Sequence, residues 1–103
     1  ANSGFPKEGI EVLEEIVDKD KRNEDALALL ATYYAQLSRL DLAIEKRVAL
    51  SKLDPWNAAN YLELGRLYKA TGDFGKMTEV KIKILSFAPE TTEGKTAMIE
   101  LTQ

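Results

Sequence analysis

The sequence predicts an all-α stack of paired helices, about six in number, and three observations carry that expectation. First, the chain repeats itself after 34 residues without a gap. Asn57 falls on Asn23, Leu64 on Leu30, Gly65 on Ala31, Tyr68 on Tyr34, Phe74 on Leu40 and Pro89 on Pro55. A fixed period of this length marks a stacked repeat, whose single unit cannot bury its own apolar face. Second, the runs within each period space their apolar side chains by three and four, as amphipathic helices do. Third, capping residues and prolines fall between those runs, where helices start and stop.

The elements follow in order. Residues 1–5 read as a polar lead-in, and Pro6 suits the first turn of a helix, where its missing N–H costs nothing. To about Lys19, Ile10, Val12, Leu13, Ile16 and Val17 share one face, opposite Glu8, Glu11, Glu15 and Asp18. Asn23 is the expected N-cap of a helix running to about Leu37, apolar almost all round and so buried between neighbours. Ser38 and Arg39 make the turn into a helix from Leu40 to Leu53. Pro55 stops that helix, and Asn57 caps the next, about Ala58 to Ala70. Gly72 supplies a left-handed end and Asp73 a cap for the run from Phe74 to Phe87. Past Pro89, Thr91 or Thr92 caps a last helix reaching about Leu101.

The pattern Tyr61-x2-Leu64-Gly65-x2-Tyr68, closed by Pro89, resembles the tetratricopeptide repeat (TPR), a helix–turn–helix unit of the same period. The likeness covers nearly the whole chain. It implies an alpha-alpha superhelix in one domain, 1–103, with a half repeat at 6–23, repeats at 24–57 and 58–91, and a terminal helix at 92–102. The first helix matches the second helix of a repeat, so a partner upstream is missing and the chain is expected to be a fragment. Ala31 and Gly65 stand where the family keeps a small residue so that paired helices approach closely. Two departures stand out. The family's alanine in the second helix is kept as Ala43 but becomes Met77, and its large apolar residue four later becomes Arg47 and Lys81. Both long stems are expected to lie across apolar neighbours with their heads in water.

The resemblance also implies a concave groove, lined by the first helix of each repeat, that binds a peptide or protein segment. Asp25, Ala28, Thr32, Ala35 and Gln36 would line it from one helix, and Ala59, Leu62, Glu63, Arg66 and Lys69 from the next. Glu93, Thr96 and Glu100 would add the last helix. Small residues leave room for a ligand side chain, and Leu62 offers apolar contact. Arg66 and Lys69, one turn apart, could engage a carboxylate. The plainer reading is that they are solvated surface charges, with Arg66 pairing with Glu63 or Asn60. The family's carboxylate clamp for chaperone tails needs a Lys–Asn set, and Ala28, Thr32 and Glu63 stand at those places. A chaperone co-receptor of that kind is therefore rejected.

Composition excludes other classes. The net charge of -3 and pI near 5.0 argue against nucleic acid as partner, since phosphates call for a basic face. No run of roughly 18 apolar residues occurs, so no membrane contact is expected within this segment. The absence of histidine and cysteine removes the usual zinc ligands, thiol nucleophiles and imidazole base, and no cofactor is expected. Glu8, Glu11, Glu15 and Asp18 share one exposed face rather than a cleft with unequal environments, so paired-carboxylate catalysis is not expected. No glycine spacing fits a phosphate loop. The chain reads as a non-enzyme.

Two functions remain. One is a protein- or peptide-binding module. The other is a structural or oligomerising repeat tail of a larger bacterial envelope protein, because residues 53–65 also resemble the tails of O-antigen ligase or polymerase-type membrane proteins. An apolar arc on the first helix supports self-association, with Ile10, Leu13 and Val17 as candidates and a two-fold homodimer as the simplest form. The last helix offers less, because Lys95, Thr96 and Glu100 are expected to keep its outer side polar.

Overall fold

A computed structural model describes residues 5–102, with side chains from residue 7 onward. Of the lead-in expected at residues 1–5, residues 1–4 lie outside them, and Phe5 already belongs to the first helix. Among the described residues there are six helices: α1 (Phe5–Lys19), α2 (Glu24–Gln36), α3 (Leu40–Leu53), α4 (Ala58–Thr71), α5 (Phe74–Phe87) and α6 (Thr92–Leu101). The period survives in the backbone, because the caps Asn23, Asn57 and Thr91 each stand one period after the last. Asn23 and Asn57 accept from the backbone N–H three residues on at 3.0 Å, and Thr91 does so from Gly94 at 3.0 Å. Asp73 caps α5 in the same way through Lys76. Each such cap stabilises its helix by about 1 kcal/mol.

The described residues divide into two compact units after Leu53. In the first, α2 packs against both α1 and α3. Leu30, Ala31, Ala26, Leu27 and Tyr34 of α2 are buried with Ala43 and Leu50 of α3. The all-round burial expected of α2 is incomplete, since Leu29 is 46% exposed. In the second unit, α4 packs against α5 and α6, and α5 packs against α6. Its core joins Tyr61, Leu64, Gly65 and Tyr68 of α4 to Ile84 of α5 and Ala97 of α6. Gly65 faces α5 as the small-residue pattern implied. A Cβ built there would lie 3.5 Å from Val80 Cγ2.

Two expectations need correction. The head of Lys81 is not in water: the residue is buried, and its Nζ lies 3.1 Å from Glu100 Oε1 on α6. A buried ammonium needs a partner, and Glu100 turns inward to supply one. The outer side of α6 is not polar either. Thr96 and Glu100 are half-buried, whereas Met98 and Ile99 are 51% and 58% exposed. At Gly94 the start of α6 lies against the preceding turn, and a Cβ there would fall 2.1 Å from the carbonyl oxygen of Ala88. Only a glycine lets the Ala88–Pro89 backbone come so close, and Gly94 and Ala97 are the buried residues of α6 while Met98 and Ile99 face outward.

Candidate protein-interaction site

The groove candidates occupy one strip on each first-type helix. On α2, Ala28, Thr32, Ala35 and Gln36 recur at helical spacing, with Thr32 and Gln36 exposed and the two alanines half-buried. Thr32 turns its hydroxyl back to the carbonyl of Ala28 at 3.0 Å, so its outward surface is largely methyl. On α4, Arg66 and Lys69 are exposed, and Arg66 Nη1 meets Glu63 Oε1 at 2.5 Å. That pair is one of the two alternatives the sequence offered for Arg66. Both side chains are about half exposed, so a ligand carboxylate can compete with Glu63 for the guanidinium. On α6, Thr96 bonds back to Thr92, and Glu100 is engaged by Lys81.

Leu62 departs from expectation. It is only 8% exposed and offers no open apolar contact. Ile10, Leu13 and Val17, the self-association candidates, are half-buried. The barest members of their arc are Val12, 58% exposed, and Ile16, 38% exposed. Ile10 instead lines a cleft of about 280 Å³ with Tyr34, Leu37 and Leu42, under Lys7, Glu11 and Arg39.

Sequence reasoning passed over one polar cluster in the first unit. The phenol of Tyr34 donates to Glu14 Oε2, and Lys46 Nζ donates to Glu14 Oε1 at 3.0 Å, so one carboxylate ties α1, α2 and α3 together. Burial pushes the Glu14 carboxyl up, but the hydrogen bonds from Tyr34 and Lys46 and the ammonium charge outweigh it, leaving it below its ordinary range. Burial, then the bond to Glu14, pushes the Tyr34 phenol up to about 12. The phenol therefore stays neutral and cannot serve as a base near neutrality. A signal was present: Glu14 sits within the stripe Ile10, Leu13, Val17 that packs inward.

A second feature lies in the other unit. Trp56, 67% exposed, meets Phe87 edge-on at 5.4 Å, and Phe87 meets Tyr61 at 6.0 Å. Lys83 stands over the Trp56 ring at 5.8 Å and Lys76 over Tyr68 at 5.9 Å. Tyr61 anchors the group by donating to the carbonyl of Pro55 at 3.0 Å. Among the described residues no group of carboxylates could hold a metal ion, and no helix is long and apolar enough to cross a membrane.

No family model and no curated protein matches the sequence, which leaves the likeness to O-antigen ligase-type tails without support. Solved structures do share the fold. The crystal structure of MamA matches with a TM-score of 0.77 at 23% identity, over 96% of this chain and 60% of that one. The chain thus spans 60% of the length of that protein. The first TPR of Spaghetti (RPAP3), bound to the HSP90 peptide SRMEEVD, matches with a TM-score of 0.75 at 17% identity. That match covers 97% of this chain and 82% of the other. The fold of this chain is TPR-like.

Proposed function

We propose that the chain is a non-catalytic interaction module, 1–103, that binds a peptide or protein segment through an exposed strip on a first-type helix, the one on α4. The observation that carries this reading is the fold match to a TPR that holds a peptide. The sequence of that peptide, SRMEEVD, is acidic, and Arg66 and Lys69 give α4 an exposed cationic strip of the opposite sign. The ligand class we favour is a short acidic segment, held by charge-assisted hydrogen bonds from Arg66 and Lys69 of α4. The missing clamp residues argue against a chaperone tail as that segment.

Fluorescence polarisation with a panel of acidic and basic heptapeptides tests the proposal. Acidic members should bind, and their binding should weaken with salt, because exposed charges are screened. Arg66→Glu with Lys69→Glu should abolish binding while circular dichroism shows unchanged helicity. Equal affinity for the double variant, or a preference for basic peptides, removes the strip from the site. The second reading, an oligomerising role, is favoured by the bare apolar residues Val12, Ile16, Met98 and Ile99.

A further inference from the structure

A cleft of about 430 Å³ runs between α4 and α5, and tyrosine and lysine recur along it. Tyr61 and Tyr68 stand seven residues apart on α4, and Lys76 and Lys83 seven apart on α5, with Glu79 and Val80 between the lysines. Seven residues are two turns, or about 10 Å of helix. At one end Lys76 lies over Tyr68; at the other Lys83 lies over Trp56, beside Phe87 and Tyr61.

The Tyr68 end lacks an acceptor. Tyr68 is 8% exposed, yet its phenol makes no hydrogen bond among the described residues, and its oxygen is not sealed from solvent. The first unit shows what a phenol at this place takes. Tyr34, one period earlier, donates to the Glu14 carboxylate, which also accepts from Lys46 of the helix that follows. Tyr68 has the same donor and a lysine from the helix that follows it, but no carboxylate is bound to it. Lys76 and Lys83 are likewise exposed and in no ion pair among the described residues. Each rests over an aromatic ring, a weaker hold at an exposed site than a charge-assisted bond to a carboxylate.

We propose that this cleft binds a peptide segment with two carboxylates about 10 Å apart, one taken by Tyr68 and Lys76, the other by Lys83. A polyproline-type segment fits, since three residues advance it by about 9 Å and return both side chains to one face. Val80 and the tyrosine rings give its middle an apolar floor. Glu79 stands one turn from each lysine and pairs with neither, so the middle of the cleft is negative. That charge rejects a continuous acidic run and favours neutral or basic residues between the two carboxylates. Arg66 and Lys69 do not line the cleft, so the site does not rest on their strip.

Trp56 is the single tryptophan of the chain and reports on the site, because a carboxylate that draws Lys83 off its ring changes the indole emission. The test is a titration with the end-blocked peptide Pro-Glu-Pro-Pro-Glu-Pro. The expected result is a saturable emission change that Pro-Gln-Pro-Pro-Gln-Pro does not give and that Pro-Pro-Glu-Glu-Pro-Pro gives only at higher concentration. Tyr68→Phe and Lys76→Gln should each weaken binding about tenfold, as the loss of one hydrogen bond to a charged group does. Neither variant removes a hydrogen bond or ion pair from the fold, and circular dichroism checks that both are intact. Arg66→Gln/Lys69→Gln should leave the affinity unchanged. An emission change shared by the glutamine peptide, or undiminished in Tyr68→Phe and Lys76→Gln, overturns the proposal. Loss in Arg66→Gln/Lys69→Gln alone moves the segment to the α4 strip and overturns the cleft. A parent whose emission stays flat at millimolar peptide overturns it as well.

Discussion

Ser38 and Gly72 stand one period apart and both take the left-handed backbone, at φ 61° and 84°. The hydrogen bonds around them match as well. Ser38 N–H donates to Ala35 and Arg39 N–H to Tyr34; Gly72 N–H donates to Lys69 and Asp73 N–H to Tyr68. The same two-bond closure ends α2 and α4, and only one carries the residue that adopts it without strain.

A left-handed residue with a side chain is disfavoured by roughly 1–2 kcal/mol. Ser38→Gly should therefore stabilise the chain, by about 0.5–1 kcal/mol once the greater freedom of glycine in the unfolded state is subtracted. Gly72→Ala should destabilise by a similar amount although nothing lies within 4 Å of its added Cβ. Urea denaturation of both measures this. Equal midpoints for parent and variants would mean that the turn is not held as described.

Gly65 and Gly94 separate two reasons for a glycine inside a helix. At Gly65 a Cβ finds ordinary contact at 3.5 Å, and the equivalent residue one period earlier is Ala31. Gly65→Ala should raise stability by up to about 1 kcal/mol through helix propensity. Gly65→Leu should lower it by about 1–3 kcal/mol through overpacking against α5. At Gly94 a Cβ would meet backbone oxygen, which cannot turn aside, so Gly94→Ala should also cost about 1–3 kcal/mol. Melting temperatures ordered Gly65→Ala, parent, then Gly94→Ala would bear out the helix packing; any inversion points to a misplaced α6.

The Tyr34–Glu14–Lys46 cluster makes stability depend on pH at both extremes. Tyr34 titrates at about 12 in the folded chain against an ordinary 10.0, so its contribution is whole below pH 10.0 and is lost as pH rises through about 12. Glu14 is lowered from its ordinary 4.5, so its contribution is present above 4.5 and is lost as pH falls through the folded value. Tyr34→Phe should reduce the alkaline loss without abolishing it, because the Tyr61 phenol is also pushed up, by burial and then by the Asp54 charge. Glu14→Gln should flatten the acid limb. Unfolding free energies of parent and variants across pH decide: parallel profiles would take the cluster out of the account.

How legible all this was depended on distance along the chain. The caps Asn23, Asn57 and Asp73 act on N–H groups three residues away, so residue type alone located them. The pair Glu63–Arg66 was readable for the same reason. The orientation of α6 was not. Met98 and Ile99 are, with Leu101, its bulkiest apolar residues, and hydrophobicity alone turns them inward. The opposite side, with the small residues Gly94 and Ala97, is the buried one. Glu14 was passed over and Glu100 was read as part of a polar outer side, because their partners lie on other helices, Lys46 on α3 and Lys81 on α5. The burial of Leu62 was not legible either, since no window along α4 contains the helices that pack on it.

The Lys81–Glu100 pair carries the last prediction. Lys81 keeps only 6% of its side chain exposed, while Glu100 keeps 31%, so the ammonium depends on the carboxylate more than the reverse. Removing Glu100 alone leaves a buried cation without its acceptor, and Glu100→Ala should cost about 1–3 kcal/mol. Replacing the cation is a different operation. Lys81→Met retains the long stem among its apolar neighbours and removes the need for a partner, and such exchanges of buried ion pairs are often neutral or stabilising. Glu100, already near solvent, regains water at little cost. The double variant Lys81→Met/Glu100→Ala should thus be close to Lys81→Met alone, with the cost of Glu100→Ala largely cancelled. A double-mutant cycle by chemical denaturation measures that cancellation. Additive losses in the cycle would mean that the two side chains act independently and that α5 and α6 are held by apolar packing alone.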